Sequence, residues 1–222
     1  MPDAVARRAG RVIVTVLAAV LTLAGIAALG AHAAQEAEGG YFSTSTATFS
    51  TPTSALVTDE ILVEAGRPGD SPTDVGDLGE VRIRATPTEL GRALFVGIGP
   101  KAEVEAYLRG VAHDRMAGFQ LDPFTVRFDR APGGPGPVPA AQPFWVATTS
   151  GDGTQALHWS KERGAWSAVV MNADGSPGVE VSADVGLRFG ILAPLGVALL
   201  AAGLLAAGTA VLRRWSAATS LP

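Results

Sequence analysis

Two long apolar runs bracket this chain, and each carries arginines on its outer flank. The first covers residues 12–31 and follows Arg7, Arg8 and Arg11; the second covers residues 189–212 and precedes Arg213 and Arg214. Each is roughly 20 residues or more, enough to cross about 30 Å of hydrocarbon as an α-helix. Arginines near the ends of such helices favour the cytoplasmic side. The expected arrangement is therefore a two-pass protein of the plasma membrane with both termini cytoplasmic and the central segment extracytoplasmic. Its predicted parts are a tail over 1–11, a transmembrane helix over 12–33, an external domain over 34–187, a second transmembrane helix over 188–212 and a tail over 213–222. The tails are too short to fold into a catalytic or signalling domain. Neither run contains an ionisable residue, which argues against a transport or proton path.

The first run has a second reading. Arg7, Arg8 and Arg11 form a basic leader, and Ala31-His32-Ala33 has the A-x-A form of a signal-peptidase site. Cleavage after Ala33 would leave the second helix as the anchor. The run is longer than the usual apolar stretch of about 7–15 residues in a signal peptide, which favours an uncut anchor. Both runs are rich in small residues, and Ala24/Ala28 and Ala202/Ala206 have the spacing that lets helix backbones approach.

The net charge of −4 is unevenly spread. Six of the seventeen basic residues, Arg7, Arg8, Arg11, Arg188, Arg213 and Arg214, sit at the apolar runs, and Asp3 is the one acid outside the central segment. The centre thus carries 20 acids against 11 bases, a balance of −9. That excludes nucleic acid as a partner bound through bulk charge. With no cysteine in the chain, the domain must hold by packing alone, without disulfides, thiol catalysis or cysteine-ligated zinc.

The central segment reads as mainly β. The Ser/Thr-dense tract over 41–54 is interrupted by Tyr41, Phe42 and Phe49, which favours strands over a glycosylated stalk. A strand is predicted over 55–64 and a Gly/Pro loop over 67–79. In the next strand Val81, Ile83 and Ala85 alternate with Glu80, Arg82 and Arg84, so the arginines are expected on the solvent face. After an apolar strand over 93–98, Val104, Tyr107, Leu108 and Val111 make the stripe of one short helix, begun at Pro100 and ended by Gly110. Further strands follow over 124–128, 144–149, 154–160, 165–172 and 178–185. Turn signals lie between them at Gly151-Asp152-Gly153, Glu162-Arg163-Gly164 and Asp174-Gly175, the last read as a hairpin turn. Short strands at regular spacing predict a β-sandwich with one helix, flanked by the two transmembrane helices.

Few constellations point to chemistry. His113-Asp114 has the form of a metal-binding pair but lacks further ligands on helices. His32 marks a helix end, and His158 is expected on a sheet surface. Asp70, Asp74, Asp77 and Glu80 crowd one loop without the spacing of a calcium hand, and a solvated acidic loop explains them. No serine-hydrolase elbow, P-loop or zinc-protease motif occurs. The expectation is therefore a non-enzyme with no catalytic residue, no cofactor and no metal. Trp145, Trp159 and Trp166 are the candidate ligand surface, because aromatics on a sheet can face a glycan or peptide; the alternative is that they fill the core.

The stretches LGEVRIRAT (78–86), LFVGIGPKAEVEAYLRGVAHD (94–114), FWVATTSGDGTQALHW (144–159) and WSAVVMNADGSPGVEV (166–181) resemble an uncharacterised family of actinobacterial membrane proteins. Ala-, Gly- and Arg-rich composition with few lysines is similar to that lineage. The resemblance implies a β-rich extracytoplasmic domain between two transmembrane helices and no activity. Residues 144–185 are also similar to the last strands of jelly-roll modules. The expected role is that of a cell-envelope protein whose external domain binds a membrane-protein or envelope partner. The alternative is an accessory or sensory subunit acting through its helices in the lipid bilayer.

Overall fold

The computed structural model describes residues 2–63, 79–121, 124–160 and 162–218. They fall into two compact units, a helical one made from the residues up to Gly40 and from Phe189 onward, and a β unit, Tyr41–Arg188. The predicted loop over 67–79, with Asp70, Asp74 and Asp77, lies outside the described residues save for Gly79.

The helical unit pairs α1 (Pro2–Ala37) with α3 (Leu192–Ala218). Within them Val12–Ala37 and Leu192–Val211 are long and apolar enough to cross a membrane. The helices meet on small residues. A Cβ on Gly25 would fall 2.6 Å from the Leu200 backbone nitrogen, and one on Gly203 would fall 2.7 Å from that of Thr22 and 3.0 Å from the Ala18 carbonyl oxygen. Ala18 and Gly25 on one helix, and Gly196 and Gly203 on the other, each recur after seven residues and are buried. A seven-residue period keeps one stripe facing a partner at a shallow crossing. This corrects the expectation for Ala24/Ala28: Ala24 is exposed, because it lies about 100° around the helix from Gly25. The start of the second helix also differs. The apolar run begins at Phe189, but that residue ends a strand, and the helix begins at Leu192. The Phe189 N–H donates to Oε1 of the buried Gln35 at 2.8 Å.

In the β unit one sheet contains β1 (Phe42–Ser43), β2 (Ala47–Thr51), β5 (Gly79–Pro87), β10 (Gln155–Ser160) and β12 (Val179–Phe189). The other contains β3 (Ala55–Val57), β4 (Ile61–Val63), β6 (Leu94–Pro100), β7 (His113–Leu121), β8 (Phe124–Ala131), β9 (Ala147–Gly151) and β11 (Gly164–Asn172). The strand orders are β1-β12-β5-β10, with β2 also on β12, and β8-β7-β3-β11-β6-β9, with β4 also on β11. Ile83, Ala85, Leu157, Val179 and Val181 from the first sheet share one core with Leu56, Leu94, Val96, Ile98 and Ala168 from the second.

The turns behave differently from the expectation. Asp174-Gly175 does turn: the Gly175 N–H donates to the Asn172 carbonyl at 2.9 Å and φ at Gly175 is +77°. Its flanking strands, β11 and β12, nevertheless join different sheets, so no hairpin ladder forms. The same holds for the turns between β9 and β10 and between β10 and β11. Each carries the chain across the core, because the apolar faces on both sides of the turn are buried against each other rather than side by side.

Two strands are broken in the same way. Between the pairs Ser43↔Gly186 and Ala47↔Ala183 the edge strand advances four residues while β12 advances three. Between Val57↔Val169 and Ile61↔Trp166 the strand again advances four against three on β11. Each is a one-residue bulge, at residues 44–46 and 58–60, and bulges of this kind bend a strand and re-aim its side chains. The helix α2 (Lys101–Tyr107) covers the outer face of the second sheet. Val104, Leu108 and Val111 are buried there against Ala55, Val57, Val169 and Met171.

Candidate functional site

An apolar cavity of about 250 Å³ lies between the two sheets. Phe49, Ile83, Val181 and Ala183 line it from one side, and Leu56, Met116, Phe128 and Val170 from the other. The local cause is small side chains at facing positions. Ala47 and Ala183 are a cross-strand pair, and Ala168 stands on the opposite sheet; all three line the space that larger residues would fill. Phe49 and Phe128 meet edge to face across it with centroids 6.0 Å apart, a favourable aromatic geometry. Both bulges also contribute to the lining, through Thr44 and Ser45 from one and Thr58 from the other. Thr44 and Ser45 are exposed, as is Val185, which marks the mouth.

One carboxylate lies behind the wall: Asp184 alternates on β12 with the lining residues Ala183 and Val185, so its side chain is on the far face of the sheet. Asp184 is 7% exposed, and Nε of the half-exposed Arg84 donates to both its oxygens at 3.1 and 3.0 Å. The expectation that Arg84 faces solvent holds, but Arg82 is buried. Its guanidinium carbon lies 4.1 Å from the centroid of the Tyr41 ring, and Nη2 donates to Ser43 Oγ at 2.9 Å. Tyr41 covers what alternation alone assigns to water. The Tyr41 hydroxyl reaches Glu80 Oε1 at 3.0 Å and His158 Nδ1 at 2.9 Å. Its burial, reinforced by the hydrogen bond to Glu80, raises its pKa, so it is a poor nucleophile here.

The structure does not bring the three candidate tryptophans together. Trp159 and Trp166 are buried in the shared core, 4% and 8% exposed. Trp145 packs with Phe144 and Phe95 on the outer face of the second sheet, at centroid separations of 4.4 and 5.2 Å. Its Nε1 donates to the Pro139 carbonyl at 2.8 Å. Gly97 and Gly99 make room for these rings, since a Cβ on Gly97 would lie 2.9 Å from Trp145.

His113 is buried, with Nδ1 2.9 Å from the Val111 carbonyl oxygen. The neighbouring Asp114 is tied instead to Arg130 through two hydrogen bonds of 2.8 Å, and to the Thr51 hydroxyl at 2.7 Å. Arg130 holds the Asp114 carboxyl below the usual carboxylate range, with Thr51 adding to it against the opposing effect of burial. His158 lies on the exposed face of β10 beside Tyr41 and Glu80. Among the described residues, no three His, Asp or Glu side chains are grouped as a metal ion would require.

The cavity is the feature that sequence reasoning missed. Its signals are the alanines at 47, 168 and 183, and they acquire meaning only once the strands are paired. The chain matches no known family model and no curated protein.

Proposed function

We propose that the chain is a non-enzymatic protein of the actinobacterial cell envelope, anchored in the plasma membrane by α1 and α3 with both termini cytoplasmic. Its β unit is then an extracytoplasmic β-sandwich, akin to a jelly roll, that binds an apolar ligand or an apolar part of a partner. The observation that carries this reading is the cavity between the sheets, apolar on nearly all its walls and open at Thr44, Ser45 and Val185. Such concave apolar sites are the common form of ligand pockets. The Asp184 carboxylate is turned away from the cavity and engaged by Arg84, and the mouth hydroxyls have no histidine beside them in the lining. Binding accounts for that wall better than acid–base chemistry does.

The accessory-subunit reading draws on a different observation. Gly30 and Gly208 have nothing within 4 Å of a built Cβ. They leave small-residue surface on the helices that a further membrane helix could approach.

The binding reading is tested by placing a photoreactive benzoylphenylalanine at position 49 in the full chain, with position 48 as an outward-facing control. Irradiation in native membranes should give a covalent adduct at 49 and little at 48. Equal yields at the two positions would overturn it.

A further inference from the structure

We infer that the cavity's occupant is the hydrocarbon chain of a membrane lipid, admitted through the mouth at Thr44, Ser45 and Val185. This deepens the binding reading and rests on it. An extended peptide would bring an N–H and a C=O into the cavity with every residue, and each needs a partner once buried. A sugar would bring a hydroxyl at most carbons. The walls offer neither class enough partners: Phe49, Ile83, Phe128 and Val170 present carbon alone, and the Asp184 carboxylate is on the far face of its strand, bound by Arg84. A hydrocarbon chain asks for none.

Size points the same way. An apolar cavity of about 150 Å³ holds benzene, so about 250 Å³ takes a longer chain but no folded element. Met116 on the wall adds a flexible thioether side chain that adapts to irregular apolar shapes. The mouth is polar on one lip, through the hydroxyls of Thr44 and Ser45, which can donate to and accept from headgroup oxygens. It is apolar on the other, where Val185 is 41% exposed.

Chain connectivity supplies the lipid. Six residues separate Ala37, the end of α1, from Thr44, and six separate Val185 from Leu192, the start of α3. The strands that carry the mouth are the ones joined directly to the two apolar helices. In a chain anchored by those helices, they are the first and last external segments.

The full-length protein is placed in nanodiscs of phosphatidylcholine and phosphatidylglycerol containing a trace of phosphatidylcholine with a diazirine in its acyl chain. After irradiation the adducts are mapped by peptide mass spectrometry. Adducts are expected on α1 and α3, which serve as the internal standard, and also at Phe49, Met116 and Phe128. The second set should fall several-fold relative to the first in Ala183→Trp, which fills the cavity, and in Val126→Asp, which puts a charge on its wall. Circular dichroism establishes which variants are folded, and either folded variant decides. Adducts confined to the helices in the wild type, or undiminished in a folded variant, would overturn the inference. If position 49 captures a peptide while the lipid probe leaves the β unit unlabelled, the lipid falls and the binding reading stands. If neither experiment labels the cavity, both fall.

Discussion

Trp159 and Trp166 belong to opposite sheets, yet their rings meet edge to face in the core with centroids 5.6 Å apart. The Trp166 Nε1 also donates to the Glu162 carbonyl at 2.7 Å, closing the turn between the two strands. The pair therefore joins the sheets and fastens the connection between them at one place.

Replacing Trp166 by alanine should remove that joint. The expected loss is about 3–5 kcal/mol, the range for deleting a large buried aromatic and leaving a cavity. Trp166→Phe should cost less, since it keeps the ring contact and loses the hydrogen bond. Chemical denaturation of the full chain in detergent reads both. A Trp166→Ala protein as stable as the wild type would show that the ring contributes no packing energy.

Acid should weaken the β unit through Asp114. Its folded pKa lies below its unfolded one, so the stabilisation is complete above the unfolded value of about 3.9 and is lost as pH falls through the lower folded value. Asp114→Asn should cost about 1–3 kcal/mol at neutral pH through the lost charged hydrogen bonds. Arg130, 58% exposed, keeps access to water, which holds the cost to that range. Stability of wild type minus variant, followed from pH 7 downward, should shrink below about pH 4. A difference that stays constant with pH would remove the carboxylate from the account.

The helix seam should tolerate no bulk at Gly203. Gly203→Val pushes a side chain into the Thr22 and Ala18 backbone and should cost about 1–3 kcal/mol by overpacking. Gly208→Val meets nothing within 4 Å and should be close to neutral. Unfolding of the full chain in mixed micelles by added sodium dodecyl sulfate compares the two, and equal effects would place the seam elsewhere.

Topology is tested separately. Reporters fused after Pro222 and inserted within residues 131–143 should report opposite sides of the membrane, the first cytoplasmic and the second external. A mature chain beginning at Ala34 would instead indicate a cleaved leader and a single anchor.

The parts of the fold that were legible in the sequence are those with a local signal. A helix does form at Val104 with its buried side on the sheet, though it ends at Tyr107, so Leu108 caps it and Val111 is buried beyond it in a bridge to Gly134; the inward faces of β5 and β10 follow their alternation. What stayed hidden depends on partners distant in the chain. Arg82 is buried by Tyr41, 41 residues before it, and Asp114 is held by Arg130 on the next strand. The dipeptide Asp174-Gly175 encodes a turn, but nothing local encodes which sheet receives the next strand. The bulge at residues 44–46 sits in a run of Ser and Thr, where no apolar alternation marks the residue at which the strand changes face. Trp145 reads like Trp159 in sequence and packs on another face, because Gly97 and Gly99 open a space for it there.

The pairing of β2 with β12 sets an order of events during synthesis. Ala47 must wait for Ala183, 136 positions later, before its strand has a neighbour. Until then the chain emerging from the ribosome or the translocation channel carries an unpaired strand whose backbone is open to any other. Contacts this remote in sequence also form slowly. A nascent chain halted anywhere before β12 thus leaves both sides of β2 open, and completion of the last strand covers one of them.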